Sequence, residues 1–183
     1  MICLHNQVDR VTLVETGHES EAALLTQYMR EIVPDDATNR EGHAAKVYFN
    51  ALFGMGFSRG QENPINAALN YGYGLILSSF NREVTLCGYL PHIGLFHDNM
   101  FNPYNLSCDL MEPFRVVIDR KVIDLAPVEF GKKEKLALLE TLHSLVHIAG
   151  KEQTVMNAVK LYSRSVFEAI EASDANRIDF MEL

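Results

Sequence analysis

Residues 63–88 read NPINAALNYGYGLILSSFNREVTLCG. Asn63 followed by Pro64 is a helix start, because the proline ring suits the first helical turn and its missing N–H is not needed there. Gly88 supplies the stop. Between them lie Ala67, Ala68, Tyr71, Leu75, Leu77, Phe80, Val84 and Leu86. So many apolar positions predict a central, largely buried helix over Pro64–Cys87. Gly72 and Gly74 lower its helix propensity and are expected to mark close backbone packing.

The same periodicity extends outward on both sides. Ser20 is expected to cap a helix over residues 21–32, ended by Pro34 and the Asp35-Asp36 pair. Thr38 or Asn39 is expected to cap a second helix over residues 40–53, with Ala44, Val47, Tyr48 and Leu52 on one side and Gly54 as its stop. Residues 54–62 read as a loop. From Leu90 to Tyr104 the periodicity is lost among Pro91, Gly94, Asp98, Asn99, Asn102 and Pro103. Further helices are predicted over residues 106–120 (distorted near Pro113), 132–148 and 154–170, the last two separated by Gly150. The fold class is mainly α: a single helical domain over residues 1–183 with short loops.

Composition agrees with a globular chain. Of 183 residues 48% are hydrophobic and 22% charged, and no apolar run reaches the ~20 residues of a membrane span. The N-terminus lacks the apolar core of a secretory signal. Cys3, Cys87 and Cys108 form an odd set without a CxxC pair, which fits a reducing, cytoplasmic setting better than a disulfide framework. The net charge of −8 argues against nonspecific wrapping of nucleic acid. Residues 41–121 are nearly neutral, however, with 6 basic and 7 acidic groups, so a local basic patch is possible there.

Several catalytic patterns fail on context. Gly56-Phe57-Ser58-Arg59-Gly60 has the letters of a nucleophile elbow, but that elbow needs a strand before the serine and a helix directly after it. His143 and His147 are four apart on a predicted helix, yet Ser144 stands where a zinc-protease motif needs glutamate. Asp109 and Glu112, three apart on a predicted helix, can share one face. Taken alone, that spacing fits a solvated acidic face paired with Arg115 better than a catalytic pair. Glu41 in a first helical turn fits a favourable dipole interaction, and His97 in the irregular segment fits a hydrogen-bonded loop histidine. Taken together, one imidazole and two or three carboxylates suit Mn²⁺, or Mg²⁺ with water completing the shell.

Four blocks carry a resemblance. They are Arg40–Phe49 (REGHAAKVYF), Asn63–Tyr73 (NPINAALNYGY), Gly94–His97 (GLFH) and Asn105–Arg115 (NLSCDLMEPFR). Their order and spacing resemble the CRISPR adaptation integrase and endonuclease, the universal "Cas one" protein of spacer acquisition. The wording NREGHAAKVYFNALFG and DLMEPFR is similar to the version beside type II systems. The resemblance implies metal ligands at Glu41, His97 and Glu112 for Mg²⁺ or Mn²⁺, a supporting catalytic acid at Asp109, and a tyrosine near the centre at Tyr73. It implies a metal-dependent reaction in which a 3′-hydroxyl of an incoming DNA fragment attacks a phosphodiester at the repeat boundary. The implied partners are protospacer and repeat DNA, the small "Cas two" adaptation protein and a second copy of the chain.

Family members begin with a smaller β-rich domain, and the 40 residues before Glu41 show no such stretch, so the chain is expected to correspond to the C-terminal catalytic domain. Arg59, Lys46 and Arg115 are the expected phosphate contacts. Arg115 fits an intrahelical pair with Glu112 equally well, and Lys46 fits a surface role better. Two alternatives stand beside integration: a metal-dependent nuclease of branched DNA, and a non-catalytic helical interaction module.

Overall fold

The structure, a computed structural model, describes residues 2–31 and 39–182. Its centre is the helix expected from residues 63–88. α4 spans Pro64–Leu86, and the Asn63 side chain accepts a hydrogen bond from the Asn66 N–H at 2.8 Å. Ala68, Leu69, Ile76, Phe80 and Val84 are fully buried along it. Gly88 closes the end at φ +82°, a region that costs glycine little. Gly72 does mark a close approach, because a Cβ there would run into Ile118 of the next long helix. Gly74 does not, since nothing lies within 4 Å of its Cβ position.

Before α4 come α1 (Ile2–Glu15), α2 (Glu19–Arg30) and α3 (Arg40–Phe53). α1 was not anticipated. Leu13 is buried, but so are Asp9 and Thr12, while Val11 and Val14 are exposed, so no apolar stripe announces the helix. α2 begins one residue before the expected cap: His18 is the N-cap, and Ser20 Oγ donates to Glu21 Oε2 at 2.7 Å. Asn39 is the N-cap of α3 in the left-handed region and makes no side-chain capping bond. Cys3, Pro34, Asp35, Asp36 and Thr38 lie outside the described residues or side chains. Leu13, Ala22, Leu25, Ala44 and Tyr48 form the apolar cluster between these three helices.

The helix expected over residues 106–120 is three pieces. α5 (Asn105–Met111) runs into a 3-10 turn at Glu112–Phe114, and α6 (Arg115–Leu125) continues from it. Pro113 sits in that turn, where its missing N–H breaks the α-helical ladder.

The helix expected over residues 132–148 is a correction. α7 covers only Lys132–Glu140, a 3-10 turn covers Thr141–His143, and β1 (Leu145–Ile148) pairs antiparallel with β2 (Lys151–Thr154). Ala149 and Gly150 both have positive φ, the backbone of a two-residue hairpin turn. Val146 and Ile148 are buried while Leu145 and His147 are exposed, a period of two. α8 (Val155–Ala172) follows, with Thr154 Oγ1 accepting from the Asn157 N–H. α5 to α8 enclose α4 in the larger apolar core, where Phe80, Phe114 and Tyr162 meet ring to ring. No described helix is long and apolar enough to cross a membrane.

Candidate active site

The irregular segment 90–104 is tied to α5 by Asn105, whose side-chain amide donates to the His92 and Asn99 carbonyls, and by Asp109. Asp109, on α5 and fully buried, accepts from the backbone N–H of Leu95 (2.5 Å) and Phe96 (3.0 Å) through Oδ2. Its Oδ1 accepts from the His97 N–H (3.1 Å) and meets His97 Nδ1 at 2.6 Å. Gly94 makes this wrapping possible. A Cβ there would strike the His97 carbonyl oxygen and lie 2.9 Å from Asp109 Oδ2.

The consequence is a histidine of fixed orientation. A carboxylate oxygen facing N–H groups acts as acceptor, so Nδ1 carries the proton and Nε2 keeps its lone pair in the neutral ring. Nε2 looks toward Glu112 Oε1 at 3.9 Å. That gap is too long for a hydrogen bond. It is close to twice the ~2.0–2.2 Å of a metal–ligand bond, and a carboxylate holding the distal side of a histidine is how metal-binding histidines are commonly oriented.

Asp109 and Glu112 do not form a solvated acidic face. They are 0% and 3% exposed, and both act electrostatically on the buried Tyr162. Burial raises the Tyr162 hydroxyl pKa, and the negative charges of Glu112 and then Asp109 raise it further. Asp9 of α1 is buried and interacts electrostatically with Glu112. Burial pushes its carboxyl well above the usual range, Arg115 opposes the shift and Glu112 adds to it. Glu41 stands in the first turn of α3 and is half-buried. The structure brings His97, Asp109 and Glu112 together. Among the described residues no three His, Cys, Asp or Glu side chains are arranged as a group that could hold a metal ion.

A second constellation surrounds Tyr73. The Arg59 guanidinium lies 5.3 Å from its ring centroid and that of Arg115 lies 5.6 Å away. Arg59 also stacks on Phe49 at 5.6 Å, donates to Asn70 Oδ1 at 2.6 Å and hydrogen-bonds the Asn66 side chain. Among the described residues neither arginine is in an ion pair, so the Arg115–Glu112 pair does not form. Lys46 is exposed and lines a cleft with Arg59, Phe49 and Phe57. Ser58 is an exposed loop residue between two helices, without the strand an elbow requires. His143 and His147 do not share a helix: one is in the 3-10 turn, and the other, in β1, exchanges backbone hydrogen bonds with Glu182. The asparagine clamp on Arg59 was missed, although Asn66 and Asn70 stand at i, i+4 on a helix.

A mainly helical fold carrying a histidine on a glycine-hinged loop, oriented by one buried acid and facing another, defines a recognisable class of domain. The family model for the CRISPR associated protein Cas1 matches residues 5–136. The CRISPR-associated endonuclease Cas1 of Neisseria meningitidis serogroup C (strain 8013) is 36% identical over 174 residues, covering 92% of this chain and 57% of that protein. A CAS1 protein from Thermotoga maritima superposes with a TM-score of 0.75 at 15% identity, over 95% of this chain and 64% of that one. A casposase bound to integration product gives 0.74 at 19%, over 94% and 60%. A Cas6-RT-Cas1–Cas2 complex gives 0.78 at 15%, over 97% and 24%. The chain belongs to the Cas1 family. It spans 57% of the length of the Neisseria relative.

Proposed function

We propose that this chain carries the metal-dependent phosphoryl-transfer centre of a CRISPR adaptation integrase. In this reading His97 and Glu112 hold Mg²⁺ or Mn²⁺, with Glu41 as the third ligand brought from α3. The metal, when bound, supplies Lewis-acid stabilisation of charge developing on phosphorus and favours an ionised 3′-hydroxyl as nucleophile. Asp109 orients His97 through Nδ1 and leaves Nε2 directed at the reacting centre. Arg59 and Arg115, stacked on Tyr73, bind backbone phosphates of protospacer and repeat DNA, and Lys46 extends that contact along the cleft. A second copy of the chain and a Cas2-type partner complete the assembly; the Cas6-RT-Cas1–Cas2 complex among the structural neighbours supports the Cas2-type partner.

The observation that carries the proposal is the His97 ring, pinned at 2.6 Å by Asp109 on one nitrogen and facing Glu112 at 3.9 Å with the other. The test is a strand-transfer assay with Mn²⁺, comparing donor DNA that has a free or a blocked 3′ end. Loss of joined product on blocking, and its absence in His97→Ala and Glu112→Ala, is the expected result. Cleavage that ignores blocking points to a nuclease using water. Mn²⁺ binding unchanged in Glu41→Ala, His97→Ala and Glu112→Ala refutes the centre.

A further inference from the structure

We propose that Asp119 is a positioning residue that, by fixing Tyr73, sets Arg59 and Arg115 as one phosphate-binding pair. The inference rests on the reading of these arginines as DNA contacts. Asp119 is on α6 and is 1% exposed. It accepts the Tyr48 hydroxyl from α3 through Oδ2 at 3.0 Å and the Tyr73 hydroxyl from α4 through Oδ1 at 2.5 Å. A buried carboxylate is costly without such donors, so both hydroxyls are held strongly. Burial first, and the Asp119 charge next, raise the pKa of both tyrosines, which keeps them protonated as donors.

Tyr73 has its hydroxyl anchored and its ring free for other partners. Two guanidiniums occupy it, within 5.3 and 5.6 Å of one centroid. Each guanidinium keeps its place on the ring through its own further contacts. What holds Arg59 is neutral: two asparagine oxygens and two aromatic rings. Arg115 Nε is buried and has no hydrogen-bond partner among the described residues. Arg115 interacts electrostatically with Asp9, opposing the rise that burial imposes on that carboxyl. Elsewhere arginines are neutralised, as Arg40 is by Glu31 at 2.9 Å and Arg120 by Glu15. At Tyr73 two guanidiniums meet without a salt bridge to either among the described residues, an arrangement suited to taking an anion. A lone arginine reaches a phosphate from many rotamers, whereas two on one anchored ring present a fixed geometry.

The experiment uses the full chain in EDTA, so that the metal centre plays no part. The probe is a fluorescein-labelled DNA duplex with splayed single-stranded ends, titrated at several salt concentrations. Asp119→Asn and Tyr73→Phe are expected to weaken binding about five- to tenfold. They should also lower the salt slope by about one for each arginine no longer in place. The double variant should be no worse than either single one, since both break the same link. Tyr48→Phe removes the other hydroxyl from Asp119 and should lower thermal stability comparably, yet leave DNA affinity within about twofold. Tyr73→Phe keeps the ring and the core packing, so the test survives if Asp119→Asn folds poorly.

Equal loss of affinity in Tyr48→Phe and Tyr73→Phe would reduce Asp119 to a stability role and overturn the proposal. So would unchanged affinity and salt slope in both Tyr73→Phe and Asp119→Asn, with binding still dependent on Arg59 and Arg115. Wild-type binding that ignores Arg59→Ala and Arg115→Ala overturns the DNA-contact reading together with this inference.

Discussion

Asp109→Ala isolates the element on which the site depends. In the folded protein this carboxylate receives three backbone N–H groups and one imidazole N–H, with separations of 2.5–3.1 Å. A hydrogen bond to a charged acceptor contributes ~1.5–3 kcal/mol. The four are not additive, because they hold one short segment and are lost together when it detaches. The loss is therefore capped by local opening of the Gly94–His97 turn, at ~2–4 kcal/mol. For a chain of this size that corresponds to a fall in Tm of ~5–15 °C.

A sharper readout is amide exchange. Leu95 and Phe96 are 52% and 46% exposed as residues, so protection of their N–H groups is expected to come from the bonds to Asp109. Wild-type protection of the Leu95, Phe96 and His97 amides should fall ~10- to 100-fold in the variant, while α4 amides change only with global stability. Mn²⁺ affinity should fall with it, although Asp109 itself is not placed as a ligand. Retained protection of those three amides in Asp109→Ala would refute the reasoning. So would wild-type amides that exchange at unprotected rates.

Other outcomes follow from packing and ionisation. Gly72→Ala drives a methyl into Ile118 between α4 and α6 and should cost ~1–3 kcal/mol in urea unfolding, whereas Gly74→Ala, in open space, should be neutral or stabilising by up to ~1 kcal/mol. Tyr48, Tyr73 and Tyr162 all have raised pKa values, with burial the first cause. The unfolded chain releases these protons from about pH 10 while the folded chain retains them, so their contribution is complete below that pH and lost above it. Stability should fall by up to ~1.4 kcal/mol per pH unit for each tyrosine, and Tyr162→Phe should remove one such increment from the slope measured by denaturation at alkaline pH.

Local signals made α4 legible. Asn63, Pro64 and Gly88 act through their own backbone preferences, and the apolar run between them leaves little choice but burial. Thr154 and Gly54 work in the same way at other helix ends. The hairpin was hidden because Leu138 and Leu142 continue a helical period into it. Its own evidence is short: the alternation Leu145, Val146, His147, Ile148 and the Ala149-Gly150 turn. Periodicity over four residues cannot outweigh a longer helical pattern, and only pairing with residues 151–154 decides the matter.

The candidate site divides along the same line. Residue types and spacing alone favoured surface or loop roles for Glu41, His97, Asp109 and Glu112; the resemblance to the family's blocks singled them out, with Tyr73, as candidates. Their burial, orientation and companions depend on where distant segments meet. Spacing made Asp109 and Glu112 look solvated, and packing of α5 on α4 buried them. Spacing allowed Arg115 to pair with Glu112, and tertiary contact stacked it on Tyr73 instead. The link from Asp119 to Tyr48 and Tyr73 joins residues 71 and 46 positions apart. Sequence determines what each side chain can donate, accept or bury; the hydrophobic packing of α4 determines which of them meet, because free energy is gained only when whole helical faces close together.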